Sequence, residues 1–400
     1  MENTHSSEKA SALRPQLELS DIFRQFKPWL KPISKNESKV VADVMNCRTS
    51  VLGGHHLKCG DCNFEKFSYN SCRNRHCPKC QFLTQSKWVE ARKSELLPVE
   101  YFHMVFTVPH ELNQIIWSNK KICFDILFKA MSETIKEVGE TRLKAKLGFT
   151  AVLHTWSQTL NKHAHIHAIV PGGGLSSDGK KWIKAKPGYF LPIKVLSKVF
   201  RGKYLSMLEK EFLKLKLESS ISELSIEADF KNTLKQASCK EWVVYAKAPF
   251  AGPERVLEYL GNYTHRIAIS NYRIEAIEDG CVIFRYKDRR DGNKSKLMRL
   301  PAQEFIRRFL SHVLPQKFVR IRHFGFLGSR QKKKNIEIAR ICLRSPKNVD
   351  VVKDEDYKKL LQRLVGVDVT KCPCCKTGNL IEVAEILPHR NLRRRRRDTS

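Results

Sequence analysis

Apolar and polar positions follow two rhythms along this chain, and the change falls near residue 100. Residues 20–55 carry apolar side chains at helical spacing, and Gly53-Gly54 stop the pattern, so short helices are expected there. A basic stretch, LTQSKWVEARKSELLPVE, keeps a helical period up to Pro98. Beyond it the apolar runs become short and β-rich. Residues 101–108 (YFHMVFTV) end at Pro109, and 149–156 and 163–170 follow, the last closed by the turn Pro171-Gly172-Gly173-Gly174. Residues 121–146 and the Lys/Leu/Glu-rich 192–235 read as helices, and 241–246 (EWVVYA) as a further strand. A helix is expected from Pro253, since proline suits the first helical position. Residues 281–287 and 296–300 flank Asp291-Gly292 as a hairpin, and 302–313 read as a helix.

The third of these strands carries candidate chemistry. In His163-Ala164-His165-Ile166-His167, positions two apart share a face, so three imidazoles face one way while Ala164, Ile166 and Ala168 face a core. A lone strand histidine is usually structural, but three on one face offer an all-nitrogen metal site. Such a site suits Mg²⁺ or Mn²⁺ when a phosphate supplies the remaining oxygens. Manganese matches imidazole better, and ligand type alone leaves zinc open. His163 is the expected third ligand and His154 the alternative. In the later helix, Val256, Tyr259, Leu260 and Tyr263 have the spacing of an ordinary buried helix face. Yet Gly261 sits among them at a cost of about 1 kcal/mol relative to alanine, and His265 and Arg266 follow, able to hydrogen-bond a phosphate.

Charge narrows the partners. Lys and Arg number 73 against 41 Asp and Glu, a net +32 over 400 residues, which favours a polyanion. Nucleic acid leads. An anionic membrane is the weaker rival, because no apolar run approaches the roughly 20 residues of a spanning helix. The first fifteen residues lack the apolar stretch of a secretory signal, so a cytoplasmic location is expected. Thirteen cysteines then point to metal rather than disulfides. Cys59-x2-Cys62 and Cys77-x2-Cys80 lie 14 residues apart and are expected to form one closed tetrahedral zinc site. Cys72 and His76, with Cys47, His55 or His56, are candidates for a second. Arg73, Arg75, Lys79 and Lys87 surround these cysteines and suit phosphate contacts. Cys123, Cys239, Cys281 and Cys342 are isolated and read as small buried apolar groups. Cys372-Pro-Cys374-Cys375 is half a zinc knuckle with no second pair nearby, and is expected to hold no metal stably. Arg320 and Arg322 interleave with Phe318, Phe324 and Phe326, as expected for stacking on unpaired bases. The arginine run 393–397 suits phosphate without sequence preference.

Three segments together resemble a known family: SCRNRHCPKC at 71–80, HTWSQ at 154–158 running to HAHIH at 163–167 and PGGG, and YLGNYTHR at 259–266. They resemble the rolling-circle insertion-sequence transposases of the two-tyrosine HUH (histidine–hydrophobic–histidine) class, insertion sequence ninety-one. The resemblance spans about residues 25–340 and is least informative beyond 345. It implies an α+β chain with a ferredoxin-like HUH nuclease domain built on an antiparallel sheet. A small zinc-binding domain that holds the element's ends would precede it. The division expected is a flexible 1–18, a zinc-binding DNA-recognition domain 19–97, a nuclease domain 98–275, a basic extension 276–345 and a basic tail 346–400. The implied activity is nicking and rejoining of single-stranded or locally melted DNA in a bacterial cell, through tyrosine and a divalent ion. A plasmid relaxase or replication initiator with the same chemistry is one alternative, and a non-enzymatic zinc DNA-binding protein is the other.

Overall fold

The computed structural model describes residues 16–26, 33–93, 95–186, 188, 190–217, 223–247, 261, 267–328, 330–345, 359, 362–363, 366 and 368–389. Their helices, in chain order, are α1 (Leu19–Phe26), α2 (Lys35–Asn46), α3 (Gln81–Lys93), α4 (Asn113–Ser118), α5 (Lys120–Leu143), α6 (Ile193–Lys210), α7 (Glu223–Cys239), α8 (Ala302–Ser311) and α9 (Lys332–Cys342). The strands are β1 (Gly54–Cys59), β2 (Glu65–Tyr69), β3 (Tyr101–Thr107), β4 (Gly148–Trp156), β5 (Lys162–Pro171), β6 (Gly173–Leu175), β7 (Trp182–Lys184), β8 (Val244–Lys247), β9 (Ile274–Glu278), β10 (Cys281–Asp288), β11 (Lys294–Pro301), β12 (Ile321–Gly325) and β13 (Leu380–Ile386). The chain divides into two units interleaved along the sequence: 1–86, 265–313 and 350–400 in one, 87–264 and 314–349 in the other. The expected extension 276–345 is thus shared between the units, and the expected tail 346–400 contributes to the first.

In the second unit a five-stranded sheet runs β12-β4-β5-β3-β8, every neighbour antiparallel. Helices α4 and α5 join β3 to β4, a hairpin joins β4 to β5, and α6 and α7 join β5 to β8. This β-α-β-β-α-β order, with the first and third strands central, is ferredoxin-like. Alternation explains which positions face the helices. Phe102, Met104, Phe106, Phe149, Ala151, Leu153, Ala164, Ile166 and Ala168 pack with Phe124, Leu127 and Phe128 of α5 and Phe200 and Tyr204 of α6. The histidine-bearing positions lie on the opposite face. At one corner of it Tyr101 and Ile169 are packed by apolar neighbours, among them Trp88 and Val89 of α3.

Strand β12 corrects the reading of 318–326. It pairs with β4 from Ile321↔Val152 to Gly325↔Gly148. Phe318 and Phe324 join the main core, and Phe326 packs with Leu97, Leu175 and Ile336, so these rings are not a base-stacking platform. Gly325 ends the strand at φ +60°, where a Cβ would stand 1.7 Å from the Leu147 carbonyl oxygen; only glycine fits.

The first unit has two small sheets, β13-β1-β2 and β11-β10-β9, the latter containing the hairpin expected around Asp291-Gly292. Helix α2 starts in a capping box: Ser34 Oγ accepts the Glu37 N–H at 3.3 Å and the Glu37 carboxylate accepts the Ser34 N–H at 2.9 Å. Phe23 of α1 meets Phe309 of α8 edge-on at 5.7 Å. No helix among the described residues is long and apolar enough to cross a membrane.

Candidate functional site

The antiparallel register builds the histidine face. His154 on β4 lies opposite His165 on β5, and Val152 opposite His167. On the other side of β5, Val105 of β3 lies opposite His167 and His103 opposite Ile169. Ligand nitrogens of His154, His165 and His167 all lie within 4.8 Å of one another, and all three residues are buried. Three imidazoles so placed suit a divalent transition metal. His163, the expected third ligand, shares the face but sits exposed at the start of the strand and outside the trio. Strand geometry gives the reason. His163 and His167 are four residues and about 13 Å of strand apart, whereas His154 comes from the neighbouring strand and meets both other rings, at centroid distances of 5.5 and 4.5 Å.

Neighbouring groups fix how the rings present themselves. His165 Nδ1 lies 2.9 Å from the His163 carbonyl oxygen, so it must donate, leaving the Nε2 lone pair available to a ligand. His163 therefore contributes its backbone rather than its ring. His167 Nδ1 lies 2.7 Å from His103 Nε2, a pair in which one ring donates and the other accepts. If His167 ligates through Nε2, its Nδ1–H donates and His103 accepts. Trp156 stacks on His154 at 5.1 Å. Farther across the face, His323 of β12 hydrogen-bonds Thr150 Oγ1 at 2.9 Å. Burial, then the charges of Lys332 and Arg92, lowers its pKa to about 4. The sequence reading missed His103 and His323; the alternating pattern of YFHMVF could have flagged the first.

The cysteines form two clusters rather than the single expected site. Cys47, Cys72, Cys77 and Cys80 make one; Cys59, Cys62, Cys372 and Cys375 make the other. The β1–β2 hairpin separates the two CxxC pairs. Its strands pair from Gly54↔Tyr69 to Lys58↔Glu65, so Cys59 leaves one end and the chain returns toward Cys72 at the other, about 15 Å of strand away. In the first cluster Cys80 Sγ stands 3.4 Å from Cys47 Sγ and 3.6 Å from Cys72 Sγ. Four thiolates about 2.3 Å from a zinc ion would stand about 3.8 Å apart, so this set fits structural zinc. His76 is not in the cluster. His55 and His56 pair instead with Glu382 at 2.8 Å and Glu65 at 3.0 Å.

Of the expected phosphate contacts, Arg73 is exposed and Arg75 half-buried. Lys79 is ion-paired to Glu18 at 2.7 Å. Arg320 is buried, and Arg322 pairs with Asp125 and lies 4.1 Å over the Phe128 ring. Of the isolated cysteines only Cys123 is buried; Cys239 is exposed, and Cys281 and Cys342 are intermediate. Tyr259, Tyr263, His265 and Arg266 lie outside the described residues.

The fold and sites define an α+β protein with a buried histidine trio on one face of a ferredoxin-like sheet, together with a cysteine-rich unit suited to zinc. Residues 148–335 match the family described as "Putative transposase", and 18–108 match the "Transposase zinc-binding domain" of insertion sequence ninety-one. The zinc-binding domain contains the whole first cysteine cluster. The "Putative transposase y4qJ" of Sinorhizobium fredii is 43% identical over 376 residues, covering 92% of this chain and 94% of its own. The transposase for insertion sequence element IS801 of Pseudomonas savastanoi pv. phaseolicola is 26% identical over 310 residues, covering 74% of this chain and 71% of its own. Among solved structures, the conjugative relaxase TrwC in complex with OriT DNA is similar over 41% of this chain and 71% of its own, at 15% identity and a TM-score of 0.23. The chain belongs to the insertion sequence ninety-one transposase family.

Proposed function

We propose that this transposase nicks and rejoins single-stranded or locally melted DNA through 5′-phosphotyrosine intermediates, in rolling-circle transposition. The observation that carries the reading is the convergence of His154, His165 and His167 on one face of the sheet. In this reading the trio holds Mg²⁺ or Mn²⁺. The bound cation would polarise the scissile phosphate and stabilise charge in the transition state. His103 and the His163 carbonyl hold the two β5 rings in the tautomers that keep ligand lone pairs free.

The nucleophile in this reading is Tyr259 or Tyr263. A phenol has a pKa near 10 and attacks poorly at neutral pH without such help. Its oxygen forms a bond to phosphorus and gives up its proton. The bond from phosphorus to the 3′-oxygen breaks, and that oxygen takes up a proton and leaves as a hydroxyl. The ester keeps the energy of the broken bond, so rejoining needs no ATP. Tyrosines four apart on a helix stand one turn from each other, so one can hold a strand while the other cuts. His265 and Arg266 hydrogen-bond the phosphate, and Arg73, Arg75 and Lys79 contact the element's ends.

The test is substitution of each hydroxyl alone. The Tyr259→Phe/Tyr263→Phe double variant should form no covalent adduct with single-stranded element ends and support no transposition. Each single variant should keep some cleavage of isolated ends and lose complete transposition. A double variant that still forms the adduct would end the assignment and leave the two rings as helix packing.

A further inference from the structure

We propose that Cys59, Cys62, Cys372 and Cys375 hold a second zinc ion, which fastens the C-terminal segment to the sheet of the cysteine unit. The family matches do not supply this site. They end at residues 108 and 335, short of Cys372 and Cys375.

The sulfur geometry is that of one tetrahedral ion. Cys59 Sγ stands 3.7 Å from Cys375 Sγ and Cys62 Sγ 3.6 Å from Cys372 Sγ. All four sulfurs lie within 4.8 Å of one another, and the cysteines are free thiols. Disulfide sulfurs would stand about 2.05 Å apart, whereas ligands of a single zinc stand about 3.8 Å apart. An iron–sulfur cluster would hold the thiolates apart around its own core, which near-contact sulfurs do not accommodate. The backbone supports charged sulfur. Asp61 N–H points at Cys59 Sγ at 3.4 Å, Cys374 N–H at Cys372 Sγ at 3.4 Å, and Gly378 N–H at Cys375 Sγ at 3.3 Å. Donors aimed at thiolates stabilise the charged form that binds metal. Gly378 also lets the two halves of the site close: a Cβ there would lie 2.5 Å from Cys59 Sγ.

The surrounding sheet shows why an ion is needed. β13 pairs along the whole of β1, from Gly54↔Ile386 to Cys59↔Leu380. Yet neither β13 nor β2 has a fully buried residue, and Phe67, Ile381 and Val383 are each more than half exposed. A sheet with so little apolar burial relies on cross-links for stability. The two clusters supply one at each end of β1. The second ties positions 310 residues apart in sequence, and closing so long a loop is the case in which a metal clip restrains the unfolded chain most.

Metal content of the purified full-length protein decides the matter, and the readout is independent of transposition. Elemental mass spectrometry should find two zinc ions per chain and no stoichiometric iron. The Cys372→Ser/Cys375→Ser variant should hold one zinc, and limited proteolysis should then release the C-terminal segment that resists cleavage in the wild type. Mercurial titration of the wild type should release zinc in two steps, which keeps the test informative if the variant folds poorly. One zinc in the wild type, equal zinc in wild type and variant, or Cys59–Cys375 and Cys62–Cys372 disulfides in protein purified without reductant would overturn the proposal.

Discussion

The His165 ring is held on one side by the His163 carbonyl and flanked on the other by His154, so two residues with the same side chain have different work. Their substitutions separate accordingly. In the proposed site His154→Ala removes a ligand nitrogen and should lower nicking at least about 10–100-fold, the usual cost of disturbing a metal site's immediate partners. His163→Ala keeps the carbonyl and should leave nicking close to wild type. Initial nicking rates at saturating Mn²⁺ check this, and equal losses in the two variants would restore His163 as a ligand. His323 gives a second prediction at this scale. Burial and neighbouring cations hold its folded pKa near 4, below the unfolded value of 6.5. Between those values the unfolded chain carries a proton that the folded chain refuses. The contribution to stability is therefore full above about pH 6.5 and is lost as pH falls toward 4. Thermal unfolding midpoints measured from pH 7 to 4.5 should fall less steeply in His323→Gln than in the wild type. Parallel slopes would remove His323 from the account.

Strand β12 joins β4 across about 170 positions of sequence, and its Arg322 ties that edge to α5 through Asp125 and the Phe128 ring. The pair is partly solvent-screened, so Arg322→Ala should cost about 1–2 kcal/mol of stability. It should not change the salt dependence of DNA binding. Arg73→Ala, at an exposed position, should do the reverse. Denaturant melts and binding isotherms at two salt concentrations check both, and a weakened salt dependence in Arg322→Ala would restore it as a phosphate contact. The contrast shows what the sequence made legible. β3 and β5 could be read because short apolar, β-rich runs bounded by Pro109 and Pro171 mark them, and in β5 histidines alternate with the apolar residues that pack on the helices. His165 and His167 came with it. β12 and β13 could not be read as partners of β4 and β1, because pairing is decided by distant strands that leave no mark on local spacing. His103 and His323 entered the face through the same registers. The CxxC pairs were legible one by one, but how they combine was set by the length of the β1–β2 hairpin and by a segment more than 300 residues away.

At the scale of the whole chain, an excess of +32 draws the protein to nucleic acid, and in the proposed mechanism the histidine trio is where a phosphate and a cation meet. Charge attracts any DNA; in the proposed mechanism, cutting depends on chemistry at the trio. The most direct measurement is denaturing electrophoresis of the full-length protein after incubation with a labelled single-stranded element end, with Mn²⁺ or with chelator. A covalent protein–DNA species should form only with the cation and be absent from the His165→Ala/His167→Ala variant, whose DNA binding should stay near wild type. An adduct that forms equally well in chelator, or in that variant, would contradict the proposed mechanism.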